Sequence, residues 1–230
     1  MDILNEIRGG LIVSCQALEN EPLFGSSMMA MMAKAAKEGN AVAIRANGKD
    51  DIQAIKKETG LPIIGIIKRN YSNSDMYITP TLLEVDEVFS SGAEIVAVDL
   101  TNRLRPDGLS NSEFIQSIQK NYPKLMIMAD ISTYEEGIEA AYLGVDLVAT
   151  TLSGYTAFSK QYNHPDYELI NRLSSKLDIP IIAEGRVNNP DEAVKCIKNG
   201  AWSVVVGSAI TRPQLITKRF TEKIKESQIS

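Results

Sequence analysis

Eight short apolar runs alternate with eight segments of mixed polarity along this chain, and few folds accommodate that order. The runs cover 11–15, 41–45, 62–68, 94–100, 124–130, 145–150, 179–184 and 202–207. Each is brief and largely apolar, which reads as a strand buried on both faces. The segments between them, 28–37, 49–58, 82–90, 112–120, 134–142, 167–176, 191–198 and 214–225, carry spaced apolar positions with charges in between, which predicts helices. Strands and helices in this alternation make an α/β protein with a parallel sheet. Eight such units predict a (β/α)8 TIM barrel as one domain over 1–230, and the last two strand ends make it one of the phosphate-binding type.

A weak repeat favours closure of the sheet. Gly39, Gly92, Gly144 and Gly200 precede the even-numbered strands, where glycine suits the left-handed residue that ends a helix. Pro62, Pro123 and Pro180 lie at or near the starts of the third, fifth and seventh strands. The unit is a pair of βα modules recurring at roughly 55 residues. No Gly-x-Gly-x-x-Gly follows the first run, which weakens a dinucleotide-binding sheet as the alternative.

Composition excludes some partners. The 230 residues carry a net charge of -5 without Lys/Arg clusters, which argues against nucleic acid and against an anionic membrane. A phosphorylated small molecule needs only local donors and stays open. Cys15 and Cys196 sit in apolar segments, so reduced core thiols and a cytoplasmic location are expected. The first residues do not read as a signal peptide, and no apolar run is long enough to span a bilayer. His164 is the only histidine, so no metal-ligand cluster of the usual kinds is expected, although an all-oxygen site stays open.

Barrels of this kind build their sites at the carboxyl ends of the strands. Those ends read Gln16, Arg45, Lys68, Asp99, Asp130, Thr150, Glu184 and Gly207. Lys68 is the costliest of them, a charge directly after the buried run Pro62-Ile63-Ile64-Gly65-Ile66-Ile67. It could simply turn to water, but polar groups at nearly every matching position point to a ring that binds or reacts. Gln16, Lys68, Asp130 and Glu184 lie on odd-numbered strands, and alternate strands contribute to one layer. Strands three and seven stand opposite each other in an eight-strand ring, so Lys68 and Glu184 are expected to face each other across the mouth.

The last two strand ends read as a phosphate anchor. Glu184-Gly185-Arg186 follows strand seven, and Gly207-Ser208-Ala209-Ile210-Thr211-Arg212-Pro213 follows strand eight. Glycines let a backbone approach an anion, and barrels often hold phosphate after these strands. Arg212 could add a bidentate contact, and Pro213 suits the first position of a helix. An ordinary Gly-Ser turn is the plainer reading of the same residues. The loop Thr150-Thr151-Leu152-Ser153-Gly154-Tyr155-Thr156 could bond a sugar, cover the site or be no more than a polar loop.

Several of these stretches together resemble one family. Gly10-Leu11-Ile12-Val13-Ser14-Cys15-Gln16-Ala17, Ala43-Ile44-Arg45-Ala46, Gly65-Ile66-Ile67-Lys68, Ala97-Val98-Asp99-Leu100-Thr101, Met128-Ala129-Asp130-Ile131-Ser132, Ile182-Ala183-Glu184-Gly185-Arg186 and Val206-Gly207-Ser208-Ala209-Ile210-Thr211-Arg212-Pro213 occur in this order. In that set the chain resembles the N-acetylmannosamine-6-phosphate 2-epimerases of bacterial sialic acid catabolism, from end to end. The resemblance implies inversion at C2 between N-acetyl-D-mannosamine 6-phosphate and N-acetyl-D-glucosamine 6-phosphate, with no metal or organic cofactor. It implies Lys68 as the proton-transferring base and Glu184 as its catalytic partner. Gln16, Arg45, Asp130 and Arg212 are implied to contact substrate or hold the catalytic groups.

Inversion at C2 needs a proton removed from one face and one returned to the other. The open-chain aldehyde makes the C2 proton acidic, and Arg45 and Gln16 could stabilise the enolate. Burial and Arg45 would lower the pKa of Lys68 while Asp130 and Glu184 would raise it, and the sequence leaves the balance open. One scheme has Lys68 serve both faces; another gives the second face to Glu184. The alternatives are a barrel that binds a phosphosugar without turning it over and another phosphosugar epimerase or isomerase. A metal-dependent pentose-phosphate epimerase is weakened by the missing histidines. A homodimer is expected, because the last helix carries apolar positions that could serve the barrel or a partner.

Overall fold

The structure, a computed structural model, describes residues 3–229. Eight parallel strands close into a barrel in chain order, with β1 hydrogen-bonded to β8. They are β1 (Leu11–Cys15), β2 (Ala43–Asn47), β3 (Ile63–Ile66), β4 (Ile95–Asp99), β5 (Met126–Asp130), β6 (Leu147–Ala149), β7 (Ile181–Glu184) and β8 (Ser203–Val206). The helices are α1 (Ile3–Ile7), α2 (Ser26–Glu38), α3 (Lys49–Thr59), α4 (Leu82–Ser90), α5 (Asn111–Asn121), α6 (Tyr134–Tyr142), α7 (Tyr167–Ser174), α8 (Pro190–Lys198), α9 (Ser208–Thr211) and α10 (Pro213–Ile229). This is the (β/α)8 architecture expected from the alternation, with α1 and α9 added.

Two-residue periodicity sorts the strand side chains. Ile12, Ala43, Ile64, Ile66, Ile95, Ala97, Met128, Leu147, Ala149, Ile182 and Val205 belong to one buried cluster that fills the barrel. Their neighbours Val13, Ile44, Ile63, Val96, Val98, Ile127, Ala129, Val148 and Ile181 join a second cluster beneath the helices. Because both faces are covered, the strands carry few polar residues until their carboxyl ends. α1 closes the amino-terminal end of the barrel. Ile7 is fully buried in the inner cluster, and Trp202 Nε1 donates to Leu4 O at 2.7 Å.

Local chemistry sets the helix starts. Thr81 with Glu84, Ser110 with Glu113 and Thr133 with Glu136 each form a capping box, in which hydroxyl and carboxylate satisfy backbone N–H groups reciprocally. Glu84 is also an anchor for the loop after β3. Arg69 Nη1 lies 2.5 Å from Glu84 Oε1, and Tyr71 Oη donates to the same oxygen at 2.8 Å.

Three details differ from the expectation. β2 begins at Ala43 and runs on to Asn47, so Arg45 lies inside the strand and not at its end. Gly39 has an ordinary φ of -80°, and Asn40 takes the left-handed turn with φ 67°. Asparagine tolerates that region better than most residues with a side chain. The third concerns α10. Every side chain from 217 to 228 is exposed, including Phe220 and Ile224, so this helix stands off the barrel, and its apolar positions do not serve the barrel as one of the two readings allowed.

Candidate active site

The carboxyl ends of the strands surround a cavity of about 330 Å³. Lys68, Glu184, Gln16, Arg45, Gly185, Arg186, Gly207, Ser208 and Arg212 all line it. Asp130 does not. It is fully buried below the cavity floor, where its carboxylate holds the Arg45 guanidinium.

Arg45 is the hub of the floor. Its side chain is only 1% exposed, yet it carries a full charge. Nη2 donates to Asp130 Oδ2 at 2.5 Å; Nη1 donates to Glu184 Oε2 at 2.5 Å and to Asp130 Oδ1 at 3.1 Å. Burial works against that charge, but the two carboxylates more than offset it, and the guanidinium is held more firmly protonated than usual. The planar fork of arginine suits a bridge between two carboxylates in a way that a lysine ammonium does not.

Lys68 lies two residues beyond β3. Its N–H donates to Asn47 Oδ1 at 2.8 Å, and its backbone bridges to Ile78 as the loop folds back over the mouth. Its ammonium has no hydrogen-bond or ion-pair partner in the chain among the described residues. Burial, then the charges of Arg45 and Arg212, lower its pKa to about 8, while Glu184 and Asp130 pull the other way. The balance left open by sequence therefore falls on the side of burial, with Arg45 as the larger of the two cationic contributions. Arg45 sits between the two carboxylates and cancels much of the field they would exert on Lys68.

Glu184 ends β7, which stands four strands from β3 in the closed ring. Burial raises its pKa, with Asp130 adding to the rise and Arg45 opposing it. Among the described residues the polar contacts to this carboxyl fall on Oε2, which accepts from Arg45 Nη1 and lies 3.2 Å from Thr151 Oγ1. Oε1 has no hydrogen bond among the described residues, and Glu184 lines the cavity. The backbone of Glu184 is clamped by Thr150, whose Oγ1 donates to Glu184 O at 3.0 Å and accepts from Glu184 N at 3.1 Å. Thr150 therefore faces away from the cavity, and its neighbour Thr151 lines it.

On the β7–β8 side, Gly185 (φ 107°) and Arg186 (φ 56°) take left-handed conformations that turn the chain at the rim. Arg186 donates to Ser153 O at 2.7 Å and stacks over the Tyr155 ring at 4.4 Å. Gly207 precedes α9, whose first N–H groups have no intrahelical partner. Arg212 is fixed beside them by Glu21, with Nε 2.8 Å from Oε1. Glycine backbone, free N–H groups and a fixed guanidinium together make a cradle for an anion. Gln16 Nε2 donates to Ser14 Oγ at 2.8 Å, while its Oε1 is buried without a partner in the chain.

Strand-end reading missed Thr151, Tyr77 and Ser14, which also line the cavity. Thr151 and Ser14 were readable from alternation, since Ala149 and Ile12 point inward and the residues two positions later do the same. Tyr77 had no such signal, because the folding-back of the β3–α4 loop brings it in. Among the described residues no group of three or more His, Cys, Asp or Glu is placed to hold a metal ion.

The chain is similar to known proteins. A family model described as N-acetylmannosamine-6-phosphate epimerase matches residues 29–226. A relative from Caldanaerobacter subterraneus subsp. tengcongensis, named N-acetylmannosamine-6-phosphate 2-epimerase, is 59% identical over 230 residues, covering 100% of this chain and 97% of its own. One of the same name from Clostridioides difficile is 56% identical over 223 residues, covering 97% and 99%. The solved structure of the N-acetylmannosamine-6-phosphate 2-epimerase from Clostridium perfringens superposes with a TM-score of 0.93 at 54% identity, covering 96% of each chain. A thiamine phosphate pyrophosphorylase from Pyrococcus furiosus, 20% identical with a TM-score of 0.62 over 91% of this chain and 90% of its own, shares the fold. With the family model covering most of the chain and relatives of this identity matching it end to end, the chain belongs to the N-acetylmannosamine-6-phosphate epimerase family.

Proposed function

We propose that this protein interconverts N-acetyl-D-mannosamine 6-phosphate and N-acetyl-D-glucosamine 6-phosphate by inversion at C2, a step of sialic acid degradation. The observation that carries the reading is the pairing of an unpartnered Lys68 with Glu184 across one cavity, beside an anion cradle. The phosphate sits against Gly185, Arg186, Gly207, Ser208 and Arg212. The sugar extends from there toward β3.

In the open-chain form, C2 lies next to the aldehyde. Neutral Lys68 takes the C2 proton and becomes an ammonium, and the electron pair moves onto the aldehyde oxygen as an enolate. Gln16 and Arg45 are the donors nearest to that role. Glu184, protonated at Oε1, returns a proton to the opposite face of C2 and becomes a carboxylate. The two groups reset by exchanging protons with solvent. Raising an acid's pKa and lowering a base's brings both toward neutral pH, where each is useful. Asp130 acts from below by holding Arg45.

The test is incubation with N-acetylmannosamine 6-phosphate in deuterated water, followed by nuclear magnetic resonance, with and without a chelator. The expected product is N-acetylglucosamine 6-phosphate carrying deuterium at C2, formed equally fast in both. Absence of turnover would leave the phosphosugar-binding alternative. Loss of turnover with the chelator would overturn the metal-free reading.

The protein works in this reading as a cytoplasmic homodimer. The row Ile216, Phe220, Ile224 on α10 is spaced four residues apart, and Phe220 and Ile224 are exposed, which suits a contact with a second copy. Sedimentation of the purified protein checks this; a monomer at micromolar concentration would refute it.

A further inference from the structure

Thr151 stands where two carboxylates and a guanidinium converge. Its Oγ1 is 2.6 Å from Asp130 Oδ1 and 3.2 Å from Glu184 Oε2, and it accepts from Arg45 Nη1 at 3.3 Å. A hydroxyl has one hydrogen to give. With Arg45 occupying an acceptor position, that hydrogen can go to Asp130 or to Glu184, but not to both.

We propose that Thr151 is a positioning residue for the acid, a hydroxyl that donates to Asp130 while Glu184 is protonated and swings to Glu184 Oε2 as Glu184 gives up its proton. The inference rests on the reading of Glu184 as proton donor. Oε2 already accepts from Arg45 Nη1, so a proton on Glu184 is placed on Oε1, toward the cavity. When that proton leaves, negative charge spreads over both oxygens. The 2.6 Å bond to Asp130 is then traded for one to Oε2, by rotation about a single C–O bond. No covalent bond of Thr151 breaks and the proton count is unchanged. The donor acts on a charge that exists only after proton transfer, so it favours the transition state over the ground state.

The charges facing Glu184 are Arg45 from β2, Asp130 from β5 and Lys68 from the loop after β3, with Arg212 across the cavity. Thr151 is the uncharged donor among them, and it can be removed without changing the field of the others. Thr151→Val keeps the shape and the methyl group and deletes the hydroxyl. Thr151→Ser does the reverse. The readouts are pH profiles of kcat and KM, and a carbon-13 titration of labelled glutamate carboxyls, with Glu184→Gln identifying the Glu184 signal.

For Thr151→Val, kcat is expected to fall about 10- to 100-fold with little change in KM, as suits a lost donor to a charged group. The Glu184 titration is expected to move to higher pH, because the carboxylate has lost a donor, and the falling limb of activity should follow it. Thr151→Ser should recover most of the loss. If Thr151→Val does not fold by circular dichroism, Thr151→Ala is read in its place. An unshifted Glu184 titration in Thr151→Val, or Thr151→Ser behaving like it, overturns the proposal. If the wild-type protein proves inactive, the function reading fails, and the carboxyl titration still decides whether the hydroxyl serves Glu184.

Discussion

Arg45 meets Glu184 at 2.5 Å through Nη1 while its other terminal nitrogen is held by Asp130. One cation is thus shared by two carboxylates, and the cavity wall near Lys68 is far less negative than the sequence suggests. Strand order makes this possible. Arg45 inside β2, Asp130 at the end of β5 and Glu184 at the end of β7 are distant in the chain but converge at the centre of a closed barrel.

Arg45→Met is expected to destabilise the protein strongly. It would leave Asp130 fully buried without its cation. Breaking a buried pair on one side typically costs about 3–5 kcal/mol. For a chain of this size that corresponds to a fall of roughly 6–20 °C in Tm. Arg45→Lys keeps the charge but cannot fork to both carboxylates, so it should fall between the two. Thermal unfolding by circular dichroism gives the comparison; a Met variant as stable as wild type would mean that the triad contributes nothing.

The rate should rise with pH through about 8, the value to which Lys68 is lowered. The sign follows from the base being the neutral form, which gains population as the pH climbs past its pKa. Arg212 helps to lower that pKa and stands at the anion cradle. Arg212→Gln is therefore expected to move the rising limb to higher pH and to raise KM about 10- to 100-fold, the usual loss for a charged hydrogen bond. Steady-state kinetics across pH 6–10 would show both effects; an unmoved limb with an unchanged KM would separate Arg212 from the site.

The barrel was legible because each run of apolar residues is short and each helix has a distinct period. Glu84, Glu113 and Glu136 even mark three helix starts by their spacing from Thr81, Ser110 and Thr133. Reading the strand ends recovered Gln16, Arg45, Lys68, Glu184 and Gly207 in the cavity lining, but not Asp99, Asp130 or Thr150, which lie outside it. It misplaced Arg45 because a charge was assumed to end a strand, whereas this charge is neutralised inside one. Thr150 was taken for Thr151 because one residue of register exchanges the two faces. The detachment of α10 had no signal at all, since an apolar row that covers a barrel looks the same as one that covers a partner.

Gly65 shows what the strand under Lys68 requires. A Cβ there would stand 2.7 Å from Val88 Cγ1 and 3.0 Å from both Ala93 Cβ and Ile52 Cδ1. These groups bring α3 and α4 close against β3. Gly65→Ala should cost about 1–3 kcal/mol by overpacking. Chemical denaturation measures it, with an unchanged m-value expected. Full stability in the variant would mean that the helices can retreat without loss.

Lys68→Met should abolish deuterium exchange at C2 and make the fold more stable. The ammonium is half-buried without a partner, a state that costs folding and that suits the proposed base. Its pKa is lowered to about 8 from an ordinary 10.5, so the folded protein binds this proton less tightly than the unfolded chain does. The destabilisation is therefore complete below pH 8, shrinks as pH rises from 8 to 10.5, and is absent above that. Methionine fills similar space without the charge. A gain of about 1 kcal/mol, or ~2–4 °C in Tm, is expected near pH 7 and should fade toward pH 10. Scans of both proteins at several pH values provide the comparison. A variant that loses stability at neutral pH would show that Lys68 has a structural partner, and a gain that stays constant with pH would show that its charge is not the cause.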